Sequence, residues 1–162
     1  MSSPASIGKH PIHPMLVAFP IGLWVFSLVC DIIYFASSGA NVWEVVALYT
    51  LGGGIIGALL AAVPGLIDLL SIHEQAMKRT AITHMIVNLI AVAIFIVDFA
   101  LRVESTGGAA LPFILSIIGV LFIGVGGWLG GEMVYVKGMA VEAAENPPAK
   151  QSGTGGTTRR AA

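Results

Sequence analysis

Four long apolar stretches, residues 14–35, 43–70, 80–101 and 109–135, account for most of this chain. Each exceeds the ~20 residues a helix needs to cross ~30 Å of hydrocarbon. Backbone polar groups in lipid must be satisfied within their own segment, so the stretches are expected as helices. The expected fold class is therefore all-α: an integral membrane protein built as a four-transmembrane-helix bundle. Composition agrees. Only 10% of the residues are charged, against ~25% in soluble domains, too few to cover a water-facing surface. A net charge of −1 excludes bulk electrostatic binding of nucleic acid.

One membrane domain is expected over residues 10–141, after a polar lead at 1–9. The tail at 142–162 is rich in Pro, Gly, Ser and Thr and is expected to be disordered, having too little apolar surface to offset the entropy of ordering. The N-terminus lacks the basic region, short apolar run and small-residue site of a cleavable signal, so the first span is expected to act as an uncleaved anchor. Cys30, the only cysteine, excludes an intramolecular disulfide. Four spans place Lys9, Lys78, Arg79, Lys137, Lys150, Arg159 and Arg160 on one side and Arg102 on the other. Basic residues favour the cytoplasm, so both termini are expected there.

Small residues point to close helix packing. Gly53, Gly57, Ala61 and Gly65 recur every four positions, and the fourth span repeats the device with Gly126–Gly130 and Gly127–Gly131. Such strips let backbones approach where the hydrophobic effect supplies no attraction. Pro20 and Pro64 each remove one helical hydrogen bond, freeing the carbonyls of Leu16 and Leu60. Tyr34, Phe35, Trp43, Trp128 and Tyr135 sit at the ends of spans, as interfacial anchors do.

The scarce polar residues gather toward the terminal-bearing end: His10 and His13 before or at the first span, Asp68 late in the second, His84 and Asn88 early in the third, Glu132 late in the fourth. Thr80, His84 and Asn88 are spaced by four and share a face, which should point inward because lipid cannot hydrogen-bond it. Asp98 and Arg102 return close to that face further along. His13, Ser27 and Asp31 are likewise in phase, but Asp31 lies ~27 Å from His13 along the helix and belongs to the opposite mouth. Imidazole with carboxylate suits a transition metal, for which His10, His13, Asp68, His84 and Glu132 are the candidates. Two histidines on different helices suit a haem iron, here His13 and His84, with Thr80 and Asn88 as orienting groups. Simpler roles stand beside these: His10 and His13 binding headgroup phosphate, Asp68 and Glu132 pairing with Lys78, Arg79 or Lys137, and His73 solvated in a loop. No Walker loop, dinucleotide fingerprint, CxxC or hydrolase elbow is present, so no catalytic residue is assigned.

The run Gly8-Lys9-His10-Pro11-Ile12-His13-Pro14-Met15-Leu16-Val17, continuing to Phe19-Pro20-Ile21-Gly22, resembles the opening of an uncharacterised bacterial membrane-protein family, domain of unknown function 2231. Pro64-Gly65-Leu66-Ile67-Asp68, Arg79-Thr80 through His84 and Asn88, and Gly127-Trp128-Leu129-Gly130-Gly131-Glu132 are similar to its later motifs. The resemblance covers residues 8–141. It implies about four spans, location in a bacterial inner (plasma) membrane and no agreed activity. Relatives joined to iron–sulfur or cytochrome modules imply redox-linked work. Family members carry a histidine shortly after the last motif's tyrosine, where this chain has Val136-Lys137, which removes one ligand from any metal or haem scheme. The expectation is a multi-pass inner-membrane protein with a His/carboxylate site holding haem b or a transition metal, working with a redox or other membrane partner, or as a homo-oligomer. A proton or small-ion pathway and a structural subunit without chemistry are the alternatives.

Overall fold

A computed structural model describes residues 3–8, 10–38, 40–104 and 110–139. The tail at 142–162, Lys9 and the glycine pair at 107–108 lie outside the described residues. A two-residue strand pair, β1 (Ser6–Ile7) and β2 (His10–Pro11), precedes four helices: α1 (Ile12–Ala36), α2 (Asn41–Leu70), α3 (Gln75–Glu104) and α4 (Ala110–Gly131). A π-helical turn, Glu132–Val136, extends α4. All four helices are long and apolar enough to cross a membrane.

The helices outrun the apolar stretches most at α3, which starts five residues before the expected Thr80. Glu74 explains the difference. Its carboxylate accepts from the backbone N–H groups of Ala76 and Met77 at 3.1 and 3.2 Å, satisfying donors that a helix N-terminus leaves open. The expected loop at 71–79 thus shrinks to Ser71–Glu74.

Neighbouring helices pack antiparallel, most extensively as two hairpins, α1 with α2 and α3 with α4. Side chains of α1 and α3 then meet across the bundle. Trp24 stacks on Phe95 with ring centroids 4.2 Å apart, and both join Leu51, Ala91 and Ile123 in the central core. Two glycines make room: a Cβ at Gly54 would collide with the Trp24 indole, and one at Gly119 would sit 2.5 Å from Phe95. The surface is the part that differs from a soluble protein. Phe19, Leu60, Val63, Leu121 and Trp128 face outward, while the mainly apolar core also encloses Ser27, Asp31, Asp98 and Ser116. A hydrocarbon solvent favours both features.

The α2 strip faces α1. A Cβ at Gly53 would lie 3.3 Å from Leu23, at Gly57 3.2 Å from Pro20, and at Gly65 2.8 Å from His13; Ala61 is buried. In α4 the contact face is Gly126 and Gly130, against Asn88 and His84 of α3. Gly127 meets open space and Gly131 only Tyr135, 3.9 Å away. The pair at 127 and 131 therefore does not pack helices: one residue is ~100° of helical rotation, enough to leave the interface.

Candidate functional site

The two hairpins bring His13 and His84 together. Their ring centroids are 6.2 Å apart with planes at 88°, and both rings are half-buried. His13 Nδ1 lies 2.8 Å from the Ala61 carbonyl oxygen, and His84 Nδ1 lies 2.9 Å from that of Gly126. A carbonyl only accepts, so each Nδ1 carries a proton, and in the neutral form of either ring the lone pair would lie on Nε2. His13 bonds not the Leu60 carbonyl that Pro64 frees but that of its neighbour, Ala61. Asn88 donates to the His84 carbonyl at 2.7 Å, and its amide nitrogen stands 3.3 and 3.4 Å from the two nitrogens of the His84 ring.

The other candidates lie elsewhere. Asp68 accepts from Ser3 Oγ at 2.7 Å and from the Ala5 N–H at 3.3 Å, tying the N-terminal segment to the end of α2. The rings also face Gly65 and Gly130; Asp68 lies three residues beyond the first and Glu132 two beyond the second, so each stands ~3–5 Å of helix rise nearer the bundle end. Glu132 pairs with Lys137 at 3.3 Å. His10 is exposed on β2, its Nδ1 donating to the Gly8 carbonyl at 2.8 Å. Thr80 donates to the Ala76 carbonyl at 3.3 Å and accepts from Lys137 Nζ, one turn short of His84. The expectation of a mixed His/carboxylate cluster is thereby corrected: Thr80, Asp68, Glu132 and His10 are each engaged near the bundle end. Among the described residues, no group of three or more His, Cys, Asp or Glu is placed to hold a metal ion.

A second polar cluster was not assembled by sequence reasoning. Near the opposite end, Arg102 of α3 binds Asp31 of α1 through both terminal nitrogens, each at 2.7 Å, and Asp98 through Nε at 2.8 Å. Ser116 of α4 donates to Asp98 at 2.9 Å and accepts from Arg102 at 3.1 Å. Three helices are thus tied by one guanidinium. Two in-phase patterns foreshadow it, His13/Asp31 on α1 and His84/Arg102 on α3, each spanning eighteen residues. A cationic and an anionic residue at matching depth were the available signal.

Four spanning helices, an outward apolar surface and an enclosed polar interior define a multi-pass membrane protein, one that sits in a lipid bilayer. The chain belongs to the family described as predicted membrane protein DUF2231, which it matches over residues 9–143. No curated protein and no solved structure matches it.

Proposed function

We propose that His13 and His84 are the two protein ligands of a metal centre and that the protein carries electrons within the membrane. The supporting observation is the matched pair of imidazoles, each with Nδ1 committed to a backbone carbonyl. Metal-bound histidines are held in this way, the outer hydrogen bond fixing the tautomer and ring orientation. Donor count favours haem b over a bare ion. A bare transition ion wants three or four protein ligands, whereas haem iron brings four nitrogens of its own and needs axial ligands alone. The rings are close enough, with centroids 6.2 Å apart, for both to serve one centre. Bound haem would supply one-electron chemistry. His13 and His84 would hold its iron, and Trp24, Phe95, Leu51 and Ile123 would exclude water from one side. A redox membrane protein would be the electron donor or acceptor.

A proton or small-ion pathway is less well supported, because the Trp24–Phe95 layer separates the imidazoles from the Asp31–Arg102–Asp98 cluster and interrupts any hydrogen-bonded chain. The bundle end that bears Lys78, Arg79 and Lys137 is proposed to face the cytoplasm of a bacterial inner membrane. Arg102, the basic residue of the other end, is consumed by its ion pairs.

The test is an absorption spectrum with elemental analysis on detergent-purified protein. A Soret band with one iron per chain, lost in both His13→Ala and His84→Ala, is the expected result. Stoichiometric metal without a Soret band would replace haem by a bare ion. Protein free of both, even after haemin is supplied, would overturn the reading and leave a structural subunit.

A further inference from the structure

The two hairpins repeat each other position by position. Pro20, Trp24 and Ser27 are the buried residues of mid-α1, and Ala91, Phe95 and Asp98 those of α3. Each lies 71 positions further on, the separation that also relates His13 to His84 and Asp31 to its partner Arg102. For α2 and α4 the shift is 65: Leu51, Gly54, Ala61 and Asp68 are buried in one, and Ser116, Gly119, Gly126 and Met133 in the other. The lower shift means that six fewer residues separate equivalent positions in the second hairpin, 18 from Asp98 to Ser116 against 24 from Ser27 to Leu51. Outward positions follow the same rule, Phe19 with Ile90 and Val63 with Trp128.

Any two bundle helices can be slid until their buried faces match, so burial alone would be weak support. The contacts between helices fix the same shifts independently. The His13 bond to Ala61 becomes the His84 bond to Gly126 when both shifts are applied. Gly65 against the His13 ring becomes Gly130 against the His84 ring, and Gly54 beneath Trp24 becomes Gly119 beneath Phe95. Both hairpins also start at the same end of the bundle, as parallel repeats related by an axis along the membrane normal do.

We infer that residues 12–70 and 83–135 are two copies of one helical hairpin, related by a pseudo-two-fold axis along the membrane normal, with the ligand site on that axis. His13/His84, Trp24/Phe95 and Asp31/Arg102 are the side-chain pairs that meet across it. A haem bound here would be held by two side chains that the repeat makes equivalent. Gly65 and Gly130 become positioning residues, since a methyl group would stand 2.8 Å from His13 Nδ1 and 3.3 Å from His84 Cε1. The ligand rests on the haem reading above; the equivalence of the two rings does not.

The experiment is nitrogen NMR of the full chain, labelled with ¹⁵N-histidine, in lipid nanodiscs at about pH 8, where an ordinary imidazole is neutral. His13→Gln and His84→Gln assign the signals. The expected result is that both rings are Nδ1–H tautomers. Gly65→Ala should perturb the His13 signal alone and Gly130→Ala the His84 signal alone, Gly65→Ala more strongly. Should Gly65→Ala fail to fold, the milder Gly130→Ala carries the comparison. Haemin, used as the probe, should then abolish both Nε2 signals in parallel at one equivalent. A ring found as Nε2–H, or haemin acting on one ring alone, overturns the axial pair. Two Nδ1–H rings that haemin leaves untouched uphold the axis and sink the haem reading instead.

Discussion

Arg102 shows how one residue in lipid can decide whether three helices stay together. Its guanidinium meets Asp31, Asp98 and Ser116 with every donor–acceptor distance at or below 3.1 Å. Removing one partner of a buried ion pair leaves an uncompensated charge and costs about 3–5 kcal/mol. Arg102→Ala is therefore expected to lower unfolding stability in detergent by that order. Adding Asp31→Asn and Asp98→Asn should recover part of the loss, since neutral amides leave no buried charge unpaired; denaturant titration of the three proteins measures it. A result in which the amides make Arg102→Ala worse would mean that the carboxylates find other partners. At this scale the sequence was readable one helix at a time. The phase of His13, Ser27 and Asp31, and of His84, Asp98 and Arg102, is a property of helical geometry. That Asp31 meets Arg102 depends on how the hairpins dock, which helical phase does not encode. For the same reason Asp68 and Glu132 looked like partners of the histidines: both lie toward the right end, but their carboxylates are taken by Ser3 and Ala5 and by Lys137.

Among the elements, α4 carries the most instructive ambiguity. It offers two four-residue glycine pairs one position apart, and spacing alone cannot choose the pair that packs. The structure turns Gly126 toward Asn88, where an added Cβ would lie 2.8 Å from the amide, and leaves Gly127 in open space. Gly126→Ala is expected to cost about 1–3 kcal/mol by overpacking. Gly127→Ala should be neutral or stabilising by up to ~1 kcal/mol through helix propensity. Paired unfolding curves decide between them, and equal losses would contradict the rotation assigned to α4. The start of α3 offers a second check. Glu74→Ala removes the acceptor for two backbone N–H groups and should destabilise by about 0.5–2 kcal/mol, the usual loss on removing a helix cap. Circular dichroism melts in detergent would show it. The α3 boundary was missed because hydropathy marks where lipid ends, whereas capping marks where the helix ends.

For the whole molecule, lipid explains the features that were legible and the asymmetry that was not. Four spans follow from apolar length, and an enclosed polar interior follows from what hydrocarbon cannot solvate. Which interior groups face one another needs the packing of the two hairpins. That packing differs in kind along the membrane normal. The Arg102 end is locked by ion pairs and the centre by the Trp24–Phe95 stack, while at the other end two half-buried imidazoles lie beside a second buried cluster of Ile72, Met77, Ala81 and Met133. The centre and the locked end should then contribute to stability separately. Trp24→Ala is expected to cost about 3–5 kcal/mol and to couple to Phe95→Ala by about 0.5–1.5 kcal/mol, the worth of a stacked aromatic pair. Trp24 stacks at the level of Phe95, seven residues or ~10 Å of helix before Arg102, so Trp24→Ala and Arg102→Ala, sharing no partner, should add within about 0.5 kcal/mol. His13→Ala should change unfolding stability far less than either, because it removes one hydrogen bond worth about 1 kcal/mol. Double-mutant cycles in detergent micelles measure all three. If His13→Ala proved as damaging as Arg102→Ala, the imidazole pair would be a structural clamp rather than a ligand site.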